Sequence, residues 1–101
     1  MLSAGGFRVP AHHPCLPGHF PGRPIVPGVV LLDEALALIL VILPGWVLGS
    51  IGAVKFLAPV PPDVEVAVEY RISTPGHLDY TCTTAGQPVL RGNARLKSIE
   101  P

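Results

Sequence analysis

One histidine and two neighbouring acids lie on either side of the point where a proline-rich segment gives way to an apolar one. His19 belongs to segment 10–28, where frequent proline and glycine predict a stiff loop that holds a side chain in one place. Gly28 opens the apolar segment, and free N–H groups at a helix start there would hold a carbonyl oxygen that gains negative charge. Asp33 and Glu34 follow one turn later. A base, an acid and an oxyanion site together describe proton abstraction next to a carbonyl.

For each of these residues a structural explanation stays open. Acids favour the first turns of a helix, where they meet the positive end of the helix dipole. A lone histidine is more often a structural or surface residue than a catalyst, and we assign no chemistry to His12, His13 or His77. His12 and His13 with Cys15 form a weak candidate metal site, because no second group of ligands lies at a suitable spacing.

The segment 29–43 predicts the helix that carries both acids. It contains no glycine or proline, and Pro27 and Gly28 precede it while Pro44 and Gly45 end it. Nearly all its faces are apolar, which indicates a helix buried on all sides. Consecutive helical residues point about 100° apart, so one acid is expected to face the interior while the other reaches solvent.

Strands are predicted on both sides of this helix. Segment 1–8 offers a short strand at best, and the other candidates are 54–57, 64–72, 78–84 and 89–99. The alternation of apolar and polar residues in 64–72 is the clearest strand signal. The expected fold is α+β, with one apolar helix wrapped by an antiparallel meander in a single domain over 1–101. Wrapping from one side leaves the helix partly uncovered, which favours a dimer.

Composition narrows the class of protein. Hydrophobic residues make up 49% of the chain and charged residues 14%, so part of the apolar surface is expected to be covered by another subunit. The alternative is a monomer whose 13 prolines and 11 glycines supply neutral loops. A formal net charge of zero makes nucleic acid a poor partner. The apolar run 29–43 is too short and too charged to span a membrane, and the two cysteines are expected to be free thiols in a reducing cytoplasm.

One local concentration of charge stands out near the C-terminal end. Arg91, Arg95 and Lys97 lie close together with no acid before Glu100. An edge strand protected by charge is the favoured explanation. A docking patch for an acidic partner is the alternative.

Two motifs, covering about a quarter of the chain, resemble those of the 3-hydroxyacyl-acyl-carrier-protein dehydratases of fatty-acid synthesis. The first is the run 18–35, with the sequence GHFPGRPIVPGVVLLDEA. The second is 55–63, KFLAPVPPD, which is similar to the family's strand with a lysine-phenylalanine pair and its proline-rich turn. The resemblance implies a hot-dog fold, in which an antiparallel sheet wraps a long central helix, and an acyl-carrier-protein or coenzyme A thioester as substrate.

By position, the resemblance implies that His19 is the base and that Asp33, fourteen residues on, is the acid, with Glu34 in reserve. It places the oxyanion and substrate-binding positions at Gly28, Val29, Pro27 and Phe20. His19 of one subunit would meet the acid of the other in a cytoplasmic homodimer, and a hexamer is left open. The implied reaction dehydrates a 3-hydroxyacyl thioester and needs no metal or redox cofactor. The alternatives are a hot-dog thioesterase and a non-catalytic acyl-binding subunit.

Overall fold

The computed structural model describes residues 1–12, 24–73 and 75–99. In this part of the chain one helix packs against a five-stranded sheet, in which every neighbouring pair of strands is antiparallel. In chain order the elements are β1 (Leu2–Phe7), α1 (Gly28–Ile42), β2 (Trp46–Phe56), β3 (Val66–Ser73), β4 (His77–Thr84) and β5 (Gln87–Ser98). The strand order across the sheet is β1-β3-β4-β5-β2.

The predicted helix is present one residue earlier than expected, but the chain buries only one side of it. Its 15 residues span about 22 Å. The buried side chains are Leu31, Ala35, Leu36 and Ile39. Four side chains at intervals of four are exposed and form the uncovered helix face: Val29, Asp33, Ala37 and Val41. The prediction of a helix buried on all sides is therefore wrong for this chain alone, because a sheet covers a helix from one side. No helix in the described ranges is long and apolar enough to cross a membrane.

The strongest strand prediction is confirmed, with its limits moved to Val66–Ser73. Val66, Val68 and Tyr70 are buried while the residues between them are exposed, so β3 has one face in the core. Strands β4 and β5 share this pattern. The face of the sheet that meets α1 is called the inner face, and the opposite one is the outer face.

Strand β2 departs from the predicted meander in length and in place. It begins at Trp46 rather than at 54, and it pairs with β5 rather than with β3. Register shifts between Leu48 and Ser50 and between Ile51 and Val54 interrupt its pairing. Nearly all of β2 is exposed, so it has no alternation of buried and exposed residues that a sequence pattern would reveal.

Strand β5 is an interior strand, which overturns the explanation of its charges as protection of an edge. It pairs with β4 on one side and with β2 on the other, so β1 and β2 are the two edges. Arg91, Arg95 and Lys97 instead extend from the outer face of an interior strand.

Candidate active site

The start of α1 offers backbone donors that no described residue uses. Pro27 is the N-cap and provides no side-chain cap, and the first turn contains no acid. The N–H groups of Val30 and Leu31 donate to the Pro27 carbonyl at 2.9 and 3.3 Å. Among the described residues nothing accepts a hydrogen bond from the N–H of Gly28 or Val29. These two donors lie at the positive end of the helix dipole, where a partial negative charge is stabilised.

An apolar cleft opens beside these donors. This helix-start cleft has a volume of about 490 Å³, and its walls include Ile25, Val26, Phe56, Leu57 and Val60. The N–H of Val26 donates to the Val60 carbonyl at 2.8 Å, which ties the segment before α1 to the segment after β2. The cleft is therefore built by the two segments that carry the sequence motifs.

Phe56 explains why the first residue of α1 is glycine. A Cβ at Gly28 would lie 2.5 Å from Cε1 and 2.7 Å from Cδ1 of the Phe56 ring. Carbon atoms in contact normally stay 3.5–4.0 Å apart, so no larger residue fits while the ring stays in place. Phe56 belongs to the second sequence motif, 55–63, but no role was predicted for it. Its place in that motif was the feature of the sequence that could have indicated its role.

Asp33 lies on the uncovered helix face and borders a second, more apolar cavity. This helix-side cavity of about 350 Å³ lies between α1 and β2, and its lining includes Leu32, Leu36, Leu40, Leu48 and Ile51. Among the described residues that line it, Asp33 is the only charged one. Glu34 is half-buried and lines neither this cavity nor the helix-start cleft. Of the two acids, Asp33 borders one of these cavities and Glu34 borders neither, and their roles stay predictions.

Asp33 and the N–H groups of Gly28 and Val29 in the same chain lie on different sides of α1. Five residues separate Asp33 from Gly28, which corresponds to about 7.5 Å along the axis and about 140° around it. Val29 borders both cavities, so the two are neighbours along the helix. One chain thus presents its donors and its carboxyl group on distinct sides of α1.

Two predicted site residues, His19 and Phe20, lie outside the described residues, as do His13 and Cys15 of the weak metal candidate. Pro27, Gly28 and Val29 are together at the helix start, as predicted from the run that contains them. The relation of His19 to Asp33 stays a prediction.

The groups with shifted pKa values lie in the core rather than in either cavity. Burial raises the pKa of the Cys82 thiol to about 11. Desolvation also raises the pKa of Tyr80, with a smaller contribution from Cys82. Both residues extend from the inner face of β4, and Cys82 is a free thiol.

Comparison with solved structures supports the fold. The chain is similar to a chain of the dehydratase heterocomplex ApeI:P from Xenorhabdus doucetiae, with 25% identity, a TM-score of 0.77, and coverage of 90% of this chain and 82% of that one. An uncharacterised protein from Erwinia carotovora subsp. atroseptica aligns at 22% identity with a TM-score of 0.80, covering 95% and 82% of the two chains. A mutant of the fluoroacetyl-CoA-specific thioesterase FlK aligns at 15% identity with a TM-score of 0.67, covering 94% and 87%. The antiparallel sheet with one helix matches the hot-dog arrangement of these neighbours, although α1 is shorter than the long central helix expected.

The family comparison narrows the resemblance found in the sequence. It supports a hot-dog dehydratase, and not specifically the acyl-carrier-protein dehydratases of fatty-acid synthesis. The model of the ApeI-like family, described as ApeI dehydratase, matches residues 4–93. Because this match spans most of the chain, the protein belongs to the ApeI-like dehydratase family.

Proposed function

We propose that the protein dehydrates a 3-hydroxyacyl thioester to the trans-2-enoyl thioester in fatty-acid or related lipid or polyketide synthesis. The family supports a dehydratase. The observation that carries the proposal is the pair of N–H groups at Gly28 and Val29, which no described residue uses and which lie beside an apolar cleft. Such donors stabilise the oxygen of a thioester as negative charge develops on it.

In the proposed reaction, His19 removes a proton from C2 of the thioester, and the electrons move toward the carbonyl oxygen. The N–H of Gly28, with that of Val29 beside it, holds this enolate-like oxygen. Protonated Asp33 then donates its proton to the C3 hydroxyl, which leaves as water while the C2–C3 double bond forms. Phe20, Pro27 and Val29 contact the acyl group in this proposal. The step needs an acid and a base but no metal or redox cofactor.

A second subunit completes the proposed site. Asp33 is exposed amid apolar residues, and one chain places it away from its own helix start. The uncovered helix face continues onto β2, where Leu48 and Ile51 are also exposed and line the helix-side cavity. A contiguous apolar surface next to an unpaired edge strand is typical of an interface. We therefore propose a cytoplasmic homodimer of single-domain chains, in which Asp33 serves the partner's site.

A heterodimer is the alternative assembly, because one structural neighbour is part of a complex described as the dehydratase heterocomplex ApeI:P. The same apolar surface would then contact a different hot-dog subunit. A chain of this kind that lacks activity alone would match the non-catalytic acyl-binding subunit. Sedimentation of the purified chain at micromolar concentration separates these assemblies, since a monomer would contradict the homodimer.

The test of the reaction uses 3-hydroxyacyl thioesters of both acyl carrier protein and coenzyme A, with formation of the enoyl product followed by absorbance. We expect enoyl product from the wild type, and a loss of about 10²–10⁴-fold in His19→Ala and in Asp33→Asn. Glu34→Gln is the matched control and should retain activity. Release of free thiol without enoyl product would instead support the thioesterase alternative. Loss of turnover in Glu34→Gln rather than in Asp33→Asn would move the acid to Glu34.

A further inference from the structure

The outer face of the sheet collects most of the positive charge of the chain. Five of the seven Lys and Arg residues of the sequence extend from it: Lys55, Arg71, Arg91, Arg95 and Lys97. Four of these lie on the adjacent strands β5 and β2, whose outer faces carry no acid. This concentration exists although the formal net charge of the chain is zero.

The acid beside these cations, Asp79, already has two ion-pair partners. Asp79 on β4 lies 3.7 Å from Arg71 and 3.2 Å from His77, each measured from nitrogen to carboxylate oxygen. In the described ranges neither Arg91 nor Lys55 has an ion-pair partner. The two are also direct cross-strand partners, and like charges in this position destabilise a sheet. An anion between them would remove this repulsion.

The residues of β2 that interrupt its register with β5, Gly52 and Ala53, lie beside Asn93. The Oδ1 atom of Asn93 accepts a hydrogen bond from the N–H of Ala53 at 3.2 Å. Because an N–H must face an acceptor, the side-chain NH₂ of Asn93 points elsewhere and remains a donor. Gly52 makes room for this contact, since a Cβ there would collide with Asn93 Oδ1.

These side chains line a depression of about 390 Å³ on the outer face, which we call the outer depression. Its donors come from Lys55, Arg71, Arg91, Thr81 and Asn93, and Asp79 is the only acid among the described residues that line it. A volume of this size is within the usual range of small-molecule sites. A phosphate group has several acceptor oxygens and more than one negative charge. The paired cations Lys55 and Arg91, with a hydroxyl and an amide donor beside them, match these properties.

We propose that the outer depression binds a phosphate group, either free or as a phosphate ester of a small molecule, between Lys55 and Arg91. This site is distinct from the proposed acyl site, because Gly28 and the helix-start cleft lie on the inner side of the sheet. The proposal does not depend on the dehydratase reaction, and either can fail without the other.

The test titrates the full chain with inorganic pyrophosphate at low ionic strength, using calorimetry and the backbone amide signals in NMR. We expect saturable binding, with signal changes centred on Thr81, Arg91 and Asn93. Lys55→Gln and Arg91→Gln should each weaken binding about tenfold or more, because each removes a charged donor. Lys97→Gln is the matched control: it removes one charge from the same face but does not line the outer depression, and it should change binding less than about twofold.

Three results would overturn the proposal: no saturation, an equal effect of all three substitutions, or signal changes centred on Gly28. Lys55 lies exposed on an edge strand, so Lys55→Gln keeps the test usable even where Arg91→Gln disturbs folding. A second titration with coenzyme A identifies the source of the phosphate. Binding that depends on Lys55 and Arg91 in the same way supports an ester-bound phosphate, whereas binding of pyrophosphate alone supports a free phosphate in the same site.

Discussion

The contact between Gly28 and Phe56 predicts that one methyl group at the helix start will damage activity more than stability. In Gly28→Ala the new Cβ would lie 2.5 Å, 2.7 Å and 3.0 Å from three atoms of the Phe56 ring. Restoring an ordinary carbon–carbon distance of about 3.5 Å or more requires the ring to retreat by about 1 Å. The Phe56 residue is 54% exposed, so its ring can swing toward solvent rather than force the backbone apart.

The effect on stability is the sum of two opposing terms. Turning the ring about 30° away from its preferred rotamer costs about 0.5–1.5 kcal/mol. Alanine is better than glycine within a helix by roughly 0.5–1 kcal/mol, and by less at its first residue. The free energy of unfolding should therefore change by less than about 1 kcal/mol, which urea denaturation measures.

The effect on activity should be much larger. The displaced ring belongs to the wall of the helix-start cleft, next to the N–H groups proposed to hold the thioester oxygen. A misplacement of about 1 Å can reduce a rate about 10²-fold, so we expect kcat/KM for enoyl formation to fall by about 10- to 100-fold. A loss of stability above about 3 kcal/mol would show that the ring cannot move and would refute this reasoning.

Phe56→Leu provides the matched control, because it removes the ring that the methyl group meets. Within the Phe56→Leu background, Gly28→Ala should reduce kcat/KM much less than it does in the wild type. The two substituted residues are in contact, so the coupling energy obtained from kcat/KM of the single and double variants should be about 0.5–3 kcal/mol. Additive effects would mean that glycine is required at this position for a reason other than the ring.

Three further predictions concern the assembly and the core. If two copies share their sites, mixing inactive His19→Ala and Asp33→Asn chains should restore about a quarter of the wild-type activity. Random exchange makes half of the dimers mixed, and each mixed dimer has one of its two sites intact. No recovery of activity after exchange would contradict shared sites. Tyr80→Phe should leave the free energy of unfolding unchanged or raise it by up to about 1 kcal/mol, because the buried Tyr80 hydroxyl has no hydrogen-bond partner among the described residues. Cys82→Ser should lower it by about 1–3 kcal/mol, because it buries a new hydroxyl. Chemical denaturation measures both, and a large loss in Tyr80→Phe would reveal a partner for that hydroxyl. Burial raises the pKa of Cys82 from 9.0 to about 11, so the buried thiol's contribution to the free energy of unfolding is fully present below pH 9 and is lost as the pH rises toward 11. Over that range the free energy of unfolding should fall by about 2–3 kcal/mol more in the wild type than in Cys82→Ala. Parallel pH curves for the two proteins would contradict this prediction.

The sequence predicted best those elements whose pattern depends on the chain's own core. In β3, Val66, Val68 and Tyr70 contact that core, so their period of two is legible in the order of the residues. The gap between the strand candidates 78–84 and 89–99 contains a two-residue hairpin turn at Ala85 and Gly86, and both residues have the positive φ angles that such a turn requires.

The first half of β2 escaped prediction for a physical reason. Gly49 and Gly52 interrupt it, and the apolar side chains between Trp46 and Ile51 do not alternate with polar ones. The strand lies at an edge of the sheet, with register shifts in its pairing with β5. Its pattern is therefore not shaped by the packing of one buried face, which is the signal that sequence reasoning detects.

The apolar helix and its exposed acid have one explanation in common. The sequence indicated a helix buried on all sides, yet the chain alone leaves Val29, Asp33, Ala37 and Val41 uncovered. A residue pattern records every surface that becomes buried, whether the same chain or another one covers it. If a second subunit covers this face, Asp33 becomes enclosed within an apolar surface at the boundary of the two chains. The contact that stabilises the proposed dimer would then also bring Asp33 to the partner's site, where its proposed role as general acid requires it.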